Sequence, residues 1–98
     1  AKRMVQFPDV PTVAENGWPD YTASAWYGFA APTGTPLSRI KAIRDATLKA
    51  IGSPLIKSRL EKEGAEPIGN LPEDFAEMMK RESAMWADVI KTEGIALN

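Results

Sequence analysis

The chain contains no cysteine and no histidine. Those absences exclude disulfides, thiol nucleophiles, imidazole bases and metal centres built from Cys or His within these residues. Net charge is nearly missing as well: 12 Lys and Arg stand against 13 Asp and Glu, a formal charge of −1. With no basic stripe to neutralise a phosphate backbone, no nucleic-acid partner is expected. Apolar runs are only a few residues long, so nothing reads as a membrane span. The opening Ala-Lys-Arg-Met-Val-Gln-Phe-Pro lacks the apolar centre of a signal peptide, and an exported protein would carry its signal upstream of it.

What is present fits a small globular domain. The 98 residues are 44% apolar and 26% charged, ordinary values for one domain with one core. Residues 24–36 organise the rest. An apolar, aromatic run, Ser-Ala-Trp-Tyr-Gly-Phe-Ala-Ala, leads into Pro-Thr-Gly-Thr-Pro, a strand-to-helix junction. Over residues 22–31 a strand places Ala23, Ala25, Tyr27, Phe29 and Ala31 on one face and Ser24, Trp26 and Gly28 on the other. The fold class expected is therefore α/β: a small sheet of few strands covered by three main helices.

Upstream, Pro8 and Pro11 stiffen an extended loop. Thr12 and Glu15 have the spacing of a capping box, and Gly17 ends the short helix they open. Downstream, Thr35 and Pro36 suit the cap and first turn of a helix running to Ile51. Ser53-Pro54 opens a second helix that stops at Gly64, and residues 65–68 read as a short edge strand broken by Pro67. A third helix starts at Pro72, capped by Leu71 or, one residue back, by Asn70, and stops at Gly94. Its Phe75, Met78, Met79, Met85, Trp86, Val89 and Ile90 recur at helical spacing and read as core. Residues 95–98 read as a tail.

Catalytic chemistry finds little support. Carboxylates such as Glu61, Glu63, Glu73 and Asp74 lie among Lys and Arg on helix surfaces, where they read as solvated faces. No serine has a base partner or a nucleophile-elbow context, and a single glycine between Pro32 and Pro36 is too little for a phosphate loop. No enzyme, cofactor or metal is expected. Ser24, Trp26 and Tyr27, beside the permissive Gly28, offer the aromatic planes and hydroxyls that line small-molecule clefts. The same aromatics read equally well as packing under the helices.

Three stretches, taken in order, carry a resemblance. They are Phe-Pro-Asp-Val-Pro-Thr-Val-Ala-Glu (7–15), Trp-Tyr-Gly-Phe-Ala-Ala-Pro-Thr-Gly-Thr-Pro (26–36), and Gly-Ala-Glu-Pro-Ile-Gly (64–69) followed by Pro-Glu-Asp-Phe-Ala. Together they resemble the C-terminal part of the tripartite tricarboxylate transporter receptors, the Bug family. The resemblance implies a piece of a two-domain, periplasmic-binding-protein-like (type II) fold with a cleft between its lobes. Residues 1–21 would end the second lobe, and residues 22–98, starting with a crossover strand, would belong to the first. It further implies a periplasmic receptor that captures a small carboxylate and delivers it to membrane permease subunits. Ser24, Trp26, Tyr27 and, near a loop of the second lobe, Thr12 are the ligand-binding candidates. The family's carboxylate-clamping loops lie upstream of the part matched here, and Leu71 stands where members commonly have Thr or Ser. The alternative is a non-catalytic interaction or structural domain that no longer binds solute. Apolar surface left open on such a segment favours self-association.

Overall fold

The computed structural model describes residues 2–96 and divides into two compact units, Ala1–Pro67 and Ile68–Asn98. The first holds a 3-10 turn at Ala14–Asn16, helix α1 at Leu37–Ile51 and helix α2 at Pro54–Lys62. The second holds helix α3, Pro72–Thr92. The expected tail falls partly outside the description, because Leu97 and Asn98 lie beyond it. Among the described residues no helix is long and apolar enough to cross a membrane.

The expected small sheet is not there. Among the described residues no strand forms, neither over residues 22–31 nor over 65–68. The reason lies in backbone hydrogen bonding. A strand is stable only when its N–H and C=O groups pair with a neighbouring strand, and among the described residues no second strand forms beside the aromatic run. Its side chains stand in solvent accordingly, with Tyr27 98% and Phe29 77% exposed. At residues 65–68 Pro67 removes a donor, and Ile68 is likewise exposed. The fold class is helical with long irregular connections.

The helices follow their punctuation closely. In α2, Ser53 caps the start, its Oγ accepting from the Ile56 N–H at 3.4 Å, and Pro54 opens the first turn. Its end is a Schellman turn: Ala65 donates to the Leu60 carbonyl at 2.9 Å and Gly64 to Glu61 at 3.1 Å, with Gly64 at φ +69. α3 ends in the same way, with Gly94 at φ +61 and Ile95 donating to Ile90 at 3.0 Å. At α1 the expected Thr35 cap fails. The Thr35 hydroxyl donates to the Pro32 carbonyl at 2.8 Å, and Pro36 takes the cap position with no side-chain bond. At α3, Leu71 occupies the cap position without a side-chain bond.

No described residue is buried. α1 and α2 touch, and their half-covered apolar positions are Ile40, Leu48 and Ile51 on one and Ile56 and Leu60 on the other. The apolar stripe of α3, expected as core, is half-covered at Phe75, Met78 and Met79 and exposed from Met85 to Ile90.

Candidate functional site

The most densely bonded non-helical region is the N-terminal arm and the loop after it. Two tight turns shape it, with Phe7 donating to the Met4 carbonyl and Val10 to that of Phe7, each at 3.1 Å. The capping box then forms as its spacing predicts. The Thr12 N–H donates to Glu15 Oε2 at 2.7 Å, and the Glu15 N–H donates to Thr12 Oγ1 at 3.2 Å. Asn16 Nδ2 adds a bond to the Thr12 carbonyl at 2.9 Å. Gly17, at φ +102, ends the turn in a conformation that costs most other residues steric strain.

Arg3 completes the cluster. Its guanidinium contacts both Glu15 oxygens, Nε at 3.1 and 3.0 Å and Nη2 at 2.8 Å, while Nη1 donates to the Pro8 carbonyl at 2.9 Å. This planar fork, together with the Thr12 N–H, holds the Glu15 carboxyl down at about 2. The same pairing raises the Arg3 pKa further.

Beside the cluster lies an open pocket of about 330 Å³, lined mainly by apolar groups of Phe7, Val10 and Val13, with Lys2, Arg3 and Thr12 among its polar members. Both cations are already paired: Arg3 with Glu15, and Lys2 Nζ with Glu66 Oε1 at 2.9 Å. The arm is also fastened to the end of α2, where Gln6 Nε2 donates to the Glu61 carbonyl.

Thr12 is thus the one sequence-derived candidate that lines this pocket. Ser24, Trp26 and Tyr27 lie on the irregular run and do not line it. Trp26 is 39% exposed. Arg3 was not legible as a site residue. It sits 12 positions from Glu15 with an irregular loop between, so no periodicity links them. The available signal was only opposite charge across a proline-rich loop.

Comparison with known proteins gives a consistent answer. The family model for the tripartite tricarboxylate transporter family receptor matches residues 1–95. The UPF0065 protein in the tcbD-tcbE intergenic region of Pseudomonas sp. strain P51 is 36% identical over 89 residues, 90% of this chain and 26% of that protein. Protein BugT of Bordetella pertussis is 32% identical over 95 residues, 97% of this chain and 29% of BugT. The UPF0065 protein in the TAR-I ttuE-ttuC' intergenic region of Agrobacterium vitis is also 32% identical, over 94% of this chain and 28% of its own length. The chain therefore spans less than a third of the length of these curated relatives. No solved structure matches it.

Proposed function

Because the chain belongs to the tripartite tricarboxylate transporter family of receptors, we propose that it is part of an extracytoplasmic solute-binding receptor. In this reading the receptor works in the periplasm, captures a small carboxylate and presents it to the permease subunits of a membrane transporter. The role is binding and delivery, with no chemical conversion of the solute. The observation that carries the reading is the family match across residues 1–95.

Residues 1–21 and 22–98 are proposed to belong to different lobes of the receptor. Ser24, Trp26, Tyr27 and Thr12 are proposed to face the solute. Two features support this set. The aromatic run is exposed, leaving ring faces and a hydroxyl open to a ligand. Thr12 lines a pocket with apolar walls, and its hydroxyl sits at the rim of that pocket beside the Glu15 carboxylate. Carboxylate selectivity then rests on hydrogen-bond donors at defined positions, since the cations of this pocket are already neutralised.

The test is an amide NMR titration of the chain with citrate, succinate and acetate. Saturable shifts confined to Thr12 and residues 24–28 are the expected result. Spectra unchanged by millimolar amounts of every carboxylate would overturn the assignment of these four residues to the solute.

A second reading has its own observation. No described residue is buried, and much of α3's apolar stripe is exposed. A segment of this kind serves equally as an interaction element that associates with itself or with other chains.

A further inference from the structure

The loop from Pro8 to Thr12 contains two prolines, which contribute no backbone donor. Val10 is fastened to the Phe7 carbonyl. What holds both ends of the loop is a single side chain. Arg3 Nη1 grips the Pro8 carbonyl at the entrance, while Nε and Nη2 grip the Glu15 carboxylate. Glu15 in turn accepts from the Thr12 N–H at the exit, and its own N–H donates to the Thr12 hydroxyl oxygen.

We infer that Arg3 is a positioning residue: acting through Glu15 and the Pro8 carbonyl, it fixes residues 8–12 and holds the Thr12 hydroxyl in one orientation at the pocket. The geometry requires arginine in particular. Three nitrogens of one plane reach two acceptors in different directions, which the single nitrogen of lysine cannot do. The Thr12 oxygen accepts from the Glu15 N–H and its O–H faces the Glu15 carboxylate, so a ligand carboxylate at the pocket would take that donor over from Glu15. That last step rests on the receptor reading given above. The fixing of the loop does not.

The two cations at the pocket have structural roles. Arg3 and Lys2 line it, yet each already serves a glutamate. Arg3 acts as a fastener for the loop and leaves direct contact with an anion to Thr12. Its loss therefore acts through order in residues 8–12.

The experiment compares the wild-type chain with Arg3→Met, Arg3→Lys and the control Lys49→Gln by NMR, using α1 and α3 amide signals to establish that the helices persist. In Arg3→Met the Thr12 amide signal is expected to move toward its random-coil position, residues 9–13 to gain fast motion, and the Glu15 carboxyl midpoint to return to the usual carboxylate range. Arg3→Lys should recover the midpoint in part while leaving residues 9–13 mobile. Unchanged Thr12 and loop signals in Arg3→Met overturn the inference. So does full rescue by lysine, which would reduce the role to charge. Citrate is then titrated into each variant. Binding weakened about tenfold by Arg3→Met and little by Lys49→Gln, a charge change on α1 outside the pocket lining, supports the positioning role in the site. Equal citrate affinity in wild type and Arg3→Met overturns it there. If the wild-type chain binds no citrate, the receptor reading of Thr12 fails, and the loop signals alone decide whether Arg3 positions it.

Discussion

Arg3 holds both oxygens of the Glu15 carboxylate while Glu15 accepts from the Thr12 N–H, so one exposed ion pair ties residue 3 to residue 12 across a proline-rich loop. Its charge dependence follows from the sign of the shift. The folded carboxyl titrates at about 2, below the roughly 4.3 of an unperturbed glutamate. A depressed folded value means that the contribution to loop order is fully present above the unfolded value. It declines as pH falls from about 4 and is gone once pH passes below about 2. Carboxyl carbon shifts of Glu15 across that range are the measurement. A midpoint in the ordinary glutamate range would show that the fork does not persist in solution. Because both partners are about half exposed, added salt is expected to weaken the pair.

Gly64 and Gly94 make a paired prediction. Each sits at positive φ in the turn that closes its helix, at +69 and +61. An alanine at either site pays the left-handed penalty, roughly 1–2 kcal/mol. A methyl at Gly64 would also come within 2.7 Å of Met4 Cε, whereas Gly94 has open space. Since Met4 Cε is the far end of a flexible side chain, it can move aside, and the two substitutions are expected to cost nearly the same. Hydrogen exchange of the Ala65 and Ile95 amides, which bond Leu60 and Ile90, reads each turn separately. A much faster exchange at Ala65 in Gly64→Ala than at Ile95 in Gly94→Ala would mean that the arm around Met4 cannot yield.

Ser53 joins two helices with one hydroxyl. It accepts from the Ile56 N–H at 3.4 Å and donates to the Ala50 carbonyl at 2.7 Å. Ser53→Ala should reduce the helicity of α2, with a loss on the order of 0.5–1 kcal/mol because the capping bond is long. Ser53→Asp keeps the acceptor and lacks the donor, so partial recovery is expected. Carbon chemical shifts over α2 follow both variants. Full recovery by aspartate would assign the whole effect to the cap and none to the Ala50 bond.

How far the sequence carries depends on the range of the interaction. Local chemistry was readable: the Thr12–Glu15 box, Ser53-Pro54, Pro72, and the stops at Gly64 and Gly94 each act within about four residues. Thr35 misled because its hydroxyl had two reachable partners, and the Pro32 carbonyl behind it won over the amides ahead. The strand at residues 22–31 misled for a different reason. Alternation says which side chains share a face but not whether a partner strand is present, and among the described residues none is. The Arg3 fork was hidden because nothing in a 12-residue separation through a loop fixes a distance.

The exposed half of α3 leads to the last prediction. Met85, Trp86, Val89 and Ile90 recur at spacings of three and four along one helix and are between 37% and 48% exposed. Full burial of one large apolar side chain is worth about 1.5–3 kcal/mol, and Trp86 already has part of its surface covered. A partner that covered the rest would gain somewhat less than that from Trp86. The chain is therefore expected to self-associate as its concentration rises, in sedimentation equilibrium from micromolar to millimolar. Trp86→Lys removes the largest of these side chains and adds a charge to the stripe, so it should raise the dissociation constant at least tenfold, equivalent to ~1.4 kcal/mol. Lys91→Glu, a charge change on the same helix outside the apolar set, should leave association within about twofold, well under 1 kcal/mol. A wild-type chain that stays monomeric throughout would show that the stripe is too small or too mobile to hold a second copy. A loss of association in Lys91→Glu as large as in Trp86→Lys would show that the apolar face is not its cause.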